Sequence, residues 1–317
     1  MRISTFRVAE GKPTVGLSIG TAVVALHTAA ETLGDGAADL PNDLLGIIQA
    51  GPEAWELAES LDSTLSNREL PAEGQGKWWW QADEVKFEVP FEPRKNPWVV
   101  GANYYQHLAN GYARIPRPAT VPPHPEFFTK ALTAMIGDRE EIIHDKRATM
   151  TLDYETELCI VIGQGGKDIP VAEGHDHIFG YTAVNDTSAR ELQIGHRQYF
   201  RGKSLDSFCP TGPVIVTPKH IPNPYALTIT TRVNGQVRQQ WPVGDMLYKL
   251  DELISVLSQG MTLEPGEMLI CGTVPGVGFE QLPQIWLQHL DVVETEISKI
   301  GVLRNVVKMR QAEQVAQ

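Results

Sequence analysis

The chain has 317 residues, 42% of them hydrophobic and 21% charged, a composition typical of a globular protein with room for a large domain and a smaller one. A net charge of −12 and a pI near 5.2, without a basic stripe, argue against nucleic acid as a partner. The three cysteines, Cys159, Cys209 and Cys271, form no CxxC pair, so neither a disulfide framework nor a thiolate zinc site is indicated.

Membrane insertion and export are not expected from this sequence. The most apolar stretch, residues 15–30, is too short and too polar for a transmembrane helix. The first residues alternate like a strand and lack the charged, apolar and small-residue regions of a signal peptide. We therefore expect a soluble cytoplasmic protein.

The N-terminal part of the chain predicts a small α/β domain. Residues 1–30 alternate like short strands, and residues 42–49 and 53–65 have helical spacing. Glycines and prolines accumulate over residues 73–97, which places the domain boundary there and gives domains of residues 1–92 and 93–317. The Trp78–Trp79–Trp80 run within this segment is interpreted as packing; a ligand platform is the alternative.

The rest of the chain predicts a β-rich domain with few helices. Apolar runs typical of strands recur at residues 98–101, 158–163, 178–184, 214–217, 227–233 and 268–272. The turn Asn234–Gly235 follows one of them, as expected for a hairpin. Helical spacing is clearest over residues 188–198 and 246–258. The fold class predicted is α+β and β-rich.

An acidic pair precedes the strand at residues 158–163. Glu155 and Glu157 are two positions apart, so in an extended chain they point to the same side. Two carboxylates held so close repel each other, and a cation between them relieves this repulsion.

A third carboxylate, Asp186, follows the run at residues 178–184. Three carboxylates with open positions suit a hard cation, Mg²⁺ or Mn²⁺, that a 2-oxo acid can chelate. The alternative is that Glu155 and Glu157 form an exposed polar face and Asp186 only caps the next helix.

Several short segments, in order and spacing, resemble the fumarylacetoacetate hydrolase family over about residues 96–304. They are VVGANY at residues 99–104 with His107, FFTK at 127–130, residues 153–163, GYT at 180–182, Asn185–Asp186, Ala189–Arg190, GKS at 202–204, Gly212–Pro213, VNG at 233–235, and residues 263–278.

The resemblance implies a mixed β-sandwich roll, with the small N-terminal domain beside it, assembled as a homodimer. It also implies one divalent cation, Mg²⁺ or Mn²⁺, bound by Glu155, Glu157 and Asp186. Residues matching the family's substrate-binding positions are Lys203, Arg190, Gln193 and Thr273. Without the resemblance, Lys203 reads as a surface partner of Asp206, and Arg190 as a charge on a helix surface.

One departure affects the expected chemistry. Family members that hydrolyse carbon–carbon bonds carry His-x-x-Glu on a short lid helix, whereas His107 is followed by Asn110 at the glutamate position. An amide can orient a histidine through a hydrogen bond, but unlike a carboxylate it cannot accept a proton at neutral pH when a water molecule is activated. His107 then acts alone with a metal-bound water, another carboxylate such as Glu126 replaces the glutamate, or the reaction needs no such pair. A packed core histidine is the structural alternative.

The function expected is therefore metal-dependent hydrolysis of an acylpyruvate-like 2-oxo acid or 1,3-diketone, with His107 and Lys203 as catalytic residues. The alternatives are a lyase on the same metal site, either an oxaloacetate-type decarboxylase or a 2-keto-3-deoxy sugar-acid dehydratase, and a non-catalytic ligand-binding relative. Substrate selection is assigned to residues 105–124 and to the N-terminal domain. Prolines 116 to 123 within the first segment suggest a stiff hinge or a plain surface loop.

Overall fold

The computed structural model describes residues 1–112 and 120–310. Residues 116–119 of the predicted hinge lie outside this part, and residues 120–123 lie within it. The N-terminal strands are β1 (Arg2–Arg7), β2 (Thr14–Ile19), β3 (Ala22–Ala25), β4 (Trp79–Gln81) and β5 (Lys86–Phe87). The strands that follow are β6 (Trp98–Gly101), β7 (Glu126–Thr129), β8 (Met135–Ile136), β9 (Glu141–His144), β10 (Leu152–Asp153), β11 (Thr156–Ile162), β12 (Ile178–Asn185), β13 (Ser188–Ala189), β14 (Cys209–Val216), β15 (Thr228–Val233), β16 (Gln236–Pro242), β17 (Met268–Thr273), β18 (Val292–Ile297) and β19 (Gly301–Met309).

The helices of the described residues are few and short. They are α1 (Leu26–Leu33), α2 (Leu44–Ala50), α3 (Pro52–Ser66), α4 (Tyr105–Tyr112), α5 (Arg190–Gly195), α6 (Phe200–Lys203) and α7 (Leu250–Ser258). Two of the N-terminal ones, α1 and α3, pack against β2. In the described part of the chain, no helix has the length and apolar character needed to span a bilayer.

Two sheets form the body of the protein. The twelve-stranded sheet runs β4-β3-β2-β1-β14-β12-β11-β17-β6-β7, with β5 paired to β1 and β8 paired to β14. The five-stranded sheet runs β16-β15-β18-β19-β9 and packs against β11, β12 and β14. Most pairs are antiparallel, but β6–β17, β8–β14 and β9–β19 are parallel. The predicted β-rich α+β class, with a mixed β-sandwich roll, is confirmed.

The central strands are buried on both faces, which explains their continuous apolar sequence. Cys159 and Val161 of β11 belong to one hydrophobic cluster, and the alternating Leu158, Ile160 and Ile162 belong to a second. Because β11 and β12 are fully buried, the chain segments at their ends are held in fixed positions.

Most predicted elements are found close to their expected bounds. Helices α2 and α3 and strands β6, β11, β12, β15 and β17 match the predicted segments, and Asn234–Gly235 forms the β15–β16 turn with positive φ at both residues. Trp78 and Trp79 are buried in the core and Trp80 lies against Phe6, so the packing interpretation is confirmed.

Two helix predictions were too long. The first two residues of segment 188–198 form β13, paired with β10, so α5 begins only at Arg190 and ends at Gly195. Segment 246–258 becomes helical only from Leu250, because Lys249 is the N-cap and its backbone N–H donates to Glu252 Oε2 at 2.7 Å.

Candidate metal centre and active site

The three predicted metal ligands meet at one end of β11 and β12. Glu155 immediately precedes β11, Glu157 is its second residue, and Asp186 immediately follows β12. The two strands are antiparallel neighbours, and the Asp186 N–H donates to the Glu155 carbonyl at 2.8 Å. One oxygen from each of the three carboxylates lies within 4.8 Å of the others, and all three side chains are buried. Strand pairing therefore assembles the triad.

Buried cations surround two of these carboxylates. Lys203 Nζ lies 2.6 Å from Glu155 Oε2 and 2.7 Å from Asp186 Oδ2. Lys130, which is fully buried, donates to Asp186 Oδ1 at 2.5 Å. Arg190 lies 2.6 Å from Glu155 Oε1. Burial alone would raise the pKa of Glu155, but Arg190 and Lys203 bring it below its usual range.

Glu157 has the opposite environment. Its Oε2 accepts a hydrogen bond from the Gly272 N–H at 2.6 Å, but among residues 1–112 and 120–310 it forms no ion pair. Burial raises the pKa of Glu157 well above its usual value, and the neighbouring Asp186 and Glu155 raise it further. Of the three triad carboxylates, Glu157 is therefore the one that no cation of the described residues pairs with directly.

The donor set fits a hard divalent cation. Around the triad, the buried carboxylates of Asp153, Glu155, Glu157 and Asp186 face three buried cations, Lys130, Arg190 and Lys203. If all four carboxylates were ionised, one negative charge would be left over, and Glu157 is the member of the triad that forms no ion pair with these three cations. Oxygen ligands alone favour a cation such as Mg²⁺ or Mn²⁺ over zinc.

All eight predicted site residues line one cavity of about 420 Å³. They are His107, Glu155, Glu157, Asp186, Arg190, Gln193, Lys203 and Thr273. Leu108, Phe128, Ile194 and Phe279 provide apolar wall, so the cavity combines a charged end with an apolar surface. This arrangement is typical of a small-molecule site.

Arg190 and Thr273 are held mainly by protein partners. The Arg190 Nε and Nη2 atoms lie 2.8 and 2.7 Å from Asp153 Oδ2, and Nη1 donates to Gln193 Oε1 at 3.0 Å. The Thr273 hydroxyl donates to the Thr156 carbonyl at 2.9 Å and accepts from Gln239 Nε2 at 3.0 Å. In this arrangement Arg190 orients Glu155 and Gln193.

The carboxylate that the lid helix lacks comes from a distant part of the chain. Glu280 lies in the 3-10 helix Gly278–Glu280, which contacts α4, and its Oε1 is 2.5 Å from His107 Nδ1. The second oxygen, Oε2, accepts from the Gly276 N–H at 2.7 Å and from Asn110 Nδ2 at 3.2 Å. If His107 Nδ1 carries the proton donated to Glu280, Nε2 is left as a proton acceptor.

Sequence reasoning missed Glu280 and the role of Lys130. Glu126, suggested as a replacement carboxylate, accepts instead from the Tyr199 hydroxyl at 3.3 Å. Asn110 contributes a hydrogen bond of its own, because its amide donates to Glu280, the carboxylate that pairs with His107. The available signal for Glu280 was an acidic residue two positions after the glycine-rich segment at residues 272–278, a segment already matched to the family.

Known proteins resemble this chain over most of its length. The domain family "Fumarylacetoacetate (FAA) hydrolase C-terminal" matches residues 96–308. Oxaloacetate tautomerase YisK of Bacillus subtilis is 40% identical over 269 residues, 84% of this chain and 87% of that protein. The mitochondrial oxaloacetate tautomerase FAHD2A of Bos taurus is 38% identical over 226 residues, 71% of this chain and 70% of that protein.

A solved structure also resembles this chain over nearly its whole length. The fumarylacetoacetate hydrolase of the psychrophile Exiguobacterium antarcticum superposes with a TM-score of 0.79 at 32% identity, covering 98% of this chain and 100% of that one. The matched family domain includes every residue of the carboxylate triad and of the His107–Glu280 pair. From the domain match, the similar sequences and the shared fold, the chain belongs to the fumarylacetoacetate hydrolase family.

Proposed function

We propose that the protein is a divalent-cation-dependent enzyme that interconverts the keto and enol forms of a 2-oxo acid. The observation that carries this proposal is the presence, in one cavity, of a base paired with a carboxylate (His107 and Glu280) and a cation-binding triad bonded to a buried lysine. Enolisation needs one group to remove a proton from carbon and other groups to stabilise negative charge on the neighbouring oxygen.

Each residue has a defined task in this reaction. His107 Nε2 removes a proton from the carbon beside the 2-oxo group, and the freed electron pair forms the carbon–carbon double bond of an enolate. Glu280, 2.5 Å from Nδ1, stabilises the imidazolium. Lys203 provides a buried positive charge for the enolate oxygen. Returning the proton to that oxygen gives the enol, so no atom is gained or lost.

Glu155, Glu157 and Asp186 would hold the cation. When bound, a divalent cation polarises the 2-oxo group and orients the adjacent carboxylate. Lys130 and Lys203 each bond one oxygen of Asp186, which restricts the orientations that this carboxylate can adopt.

Related proteins support this choice of reaction. Two relatives, at 40% and 38% identity, carry the name oxaloacetate tautomerase. Oxaloacetate is a 2-oxo acid with a methylene group beside the oxo carbon, so it is the first substrate to test.

Hydrolysis of an acylpyruvate-like compound is the second candidate. In the sequence, Asn110 at the glutamate position weighed against hydrolysis because His107 then had no carboxylate partner. The contact between His107 and Glu280 supplies such a partner. The same base can activate a water molecule, and the enolate then becomes the leaving group. The two reactions differ in whether a carbon–carbon bond is cleaved.

The deciding experiment compares both reactions in one protein preparation. Keto–enol exchange of oxaloacetate is followed by ultraviolet absorbance and proton NMR, and cleavage of acetylpyruvate by release of pyruvate and acetate, with Mg²⁺, Mn²⁺ or EDTA. We expect cation-dependent exchange of oxaloacetate that is lost in His107→Asn and kept in the control His175→Asn, a half-buried histidine outside the cavity. Cleavage of acetylpyruvate without faster exchange would replace the proposal with the hydrolase; neither activity would contradict both.

A further inference from the structure

The cations that line the cavity differ in whether a carboxylate of the protein already neutralises them. Arg190 lies against Asp153 and Glu155, and Lys203 lies between Glu155 and Asp186. Arg197 lines the same cavity, yet within residues 1–112 and 120–310 no carboxylate lies within ion-pair distance of it. Its charge is therefore available to a ligand.

We propose that Arg197 binds the distal carboxylate of a 2-oxo dicarboxylic acid and is the residue that selects such ligands over 2-oxo acids with a single carboxylate. This inference rests on the proposed function, which assigns the 2-oxo acid end of the ligand to the carboxylate triad. A substrate carrying only that end leaves Arg197 without a partner. A second carboxylate at the far end of the ligand gives it a charge-assisted hydrogen bond.

The backbone at Arg197 supports a functional role. Helix α5 ends at Gly195, His196 caps it, and Arg197 has a φ of +61°, in the left-handed region that arginine seldom adopts. Strained positions of this kind persist where the surrounding structure enforces them, and they are concentrated at ligand sites. Here the strained residue lines the cavity directly after the helix that carries Arg190 and Gln193.

The surroundings of Arg197 define the expected size of the effect. Ile194, Phe128 and Leu108 line the same cavity and reduce the water around a bound ligand, but Arg197 itself is exposed. An arginine–carboxylate contact at such a partly hydrated position contributes about a tenfold difference in affinity. This is a contribution to selectivity, distinct from the chemistry at the triad.

The test uses two ligands that differ only in the distal carboxylate. N-oxalylglycine and N-ethyloxamate share the oxo acid end, and only the first carries a second carboxylate. Their binding to the Mn²⁺-loaded protein is measured by isothermal titration calorimetry, which requires no turnover. We expect the wild type to bind N-oxalylglycine about tenfold more tightly than N-ethyloxamate.

Variants at two arginines complete the design. Arg197→Gln should reduce the affinity ratio to about one, and Arg197→Lys should keep part of it, because lysine retains the charge without the forked donor geometry. Arg201→Gln is the matched control: this exposed arginine of α6 lies outside the cavity lining, and the ratio should stay as in the wild type.

Failure of this inference differs from failure of the proposed function. If Arg197→Gln weakens both ligands equally, or if neither ligand binds, the assignment of Arg197 is wrong whatever reaction is catalysed. If the ratio falls as expected but oxaloacetate is not enolised, Arg197 still selects dicarboxylic ligands and only the reaction must be reassigned.

Discussion

At the scale of single residues, the pairing of His107 with Glu280 determines how the cavity can handle protons. The two residues are 173 positions apart, and their contact depends on a 3-10 helix packing against α4. The spacing of residues along the sequence does not reveal a contact between positions so far apart. The sequence pointed instead to position 110, where Asn110 now serves as a hydrogen-bond donor to Glu280.

Glu280→Gln tests this pairing. The amide cannot stabilise an imidazolium as a carboxylate does, so turnover should fall about a hundredfold. Cation binding, measured by calorimetry, should be retained because the triad is intact.

A second substitution makes the experiment specific. Adding Asn110→Glu to Glu280→Gln returns a carboxylate to the third residue after His107, one helical turn away. This double variant should recover at least part of the lost rate. An unchanged rate in Glu280→Gln alone would show that the pairing is only structural.

Glu157 gives a prediction for pH dependence. Burial, Asp186 and Glu155 raise its pKa, whereas Lys203 lowers it, so the cation-free protein holds a proton on Glu157 at a pH where a free glutamate has lost it. A cation must displace that proton, and its affinity should therefore increase as pH rises. Calorimetry in buffers of different ionisation enthalpy measures the proton release.

Asp138→Asn provides the control for this measurement. Burial also raises the pKa of Asp138, but its carboxylate bonds the Arg304 N–H away from the cavity. The variant should keep the same pH dependence of cation affinity. Affinity that stays constant from acidic to neutral pH in the wild type would contradict the role given to Glu157.

At the scale of elements, Gly272 lies in β17, which pairs in parallel with β6, and it contacts the triad through Glu157. Its φ is +94°, a Cβ atom there would lie 2.7 Å from Asn103 Cβ, and its N–H donates to Glu157 Oε2. Glycine is therefore needed for both conformation and space.

Gly272→Ala should lower stability and weaken cation binding together. The positive φ costs roughly 1–2 kcal/mol, and the close contact adds about 1–3 kcal/mol. Gly235→Ala is the matched control, because its φ is +76° and a Cβ atom added there would meet no heavy atom within 4 Å. Thermal unfolding should show a smaller loss for this control, and cation affinity should not change. Equal losses would mean that the Gly272 contacts are relaxed without cost.

Elements built from local patterns were predicted well, and those that depend on distant pairing were not. The apolar runs of β11 and β12 and the helical spacing of α3 are visible in sequence. The Ser188–Ala189 strand is not, because its extended conformation comes from pairing with β10. For the same reason the Glu-x-Glu spacing indicated the triad, whereas Lys130 and Glu280 required the fold.

At the scale of the whole molecule, the N-terminal strands continue the sheet that carries the triad. Strand β1 pairs with β14 through Ile3 and Ile215, and both residues belong to one hydrophobic cluster. The boundary between residues 1–92 and 93–317 stays a prediction, as does the homodimer. The shared sheet makes independent folding of the two parts a testable question.

Removing residues 1–92 should destabilise the remainder. The truncation exposes the edge of β14 and the apolar side chains that β1 and β2 cover, which favours aggregation. We expect the full chain to unfold in one calorimetric transition and fragment 93–317 to aggregate. A monodisperse fragment with near-native unfolding temperature would instead establish two independent domains.

The placement of the triad and of the His107–Glu280 pair on different kinds of element has an evolutionary consequence. The carboxylates are fixed by the central strands of a sheet, where substitutions disturb the core, whereas the base and its partner come from a short α-helix and a 3-10 helix. The carboxylate that pairs with His107 can therefore be supplied by a different element of the chain without any change in the sheet. Selection can in this way retain the platform that holds a 2-oxo acid and exchange the groups that decide the fate of its enolate.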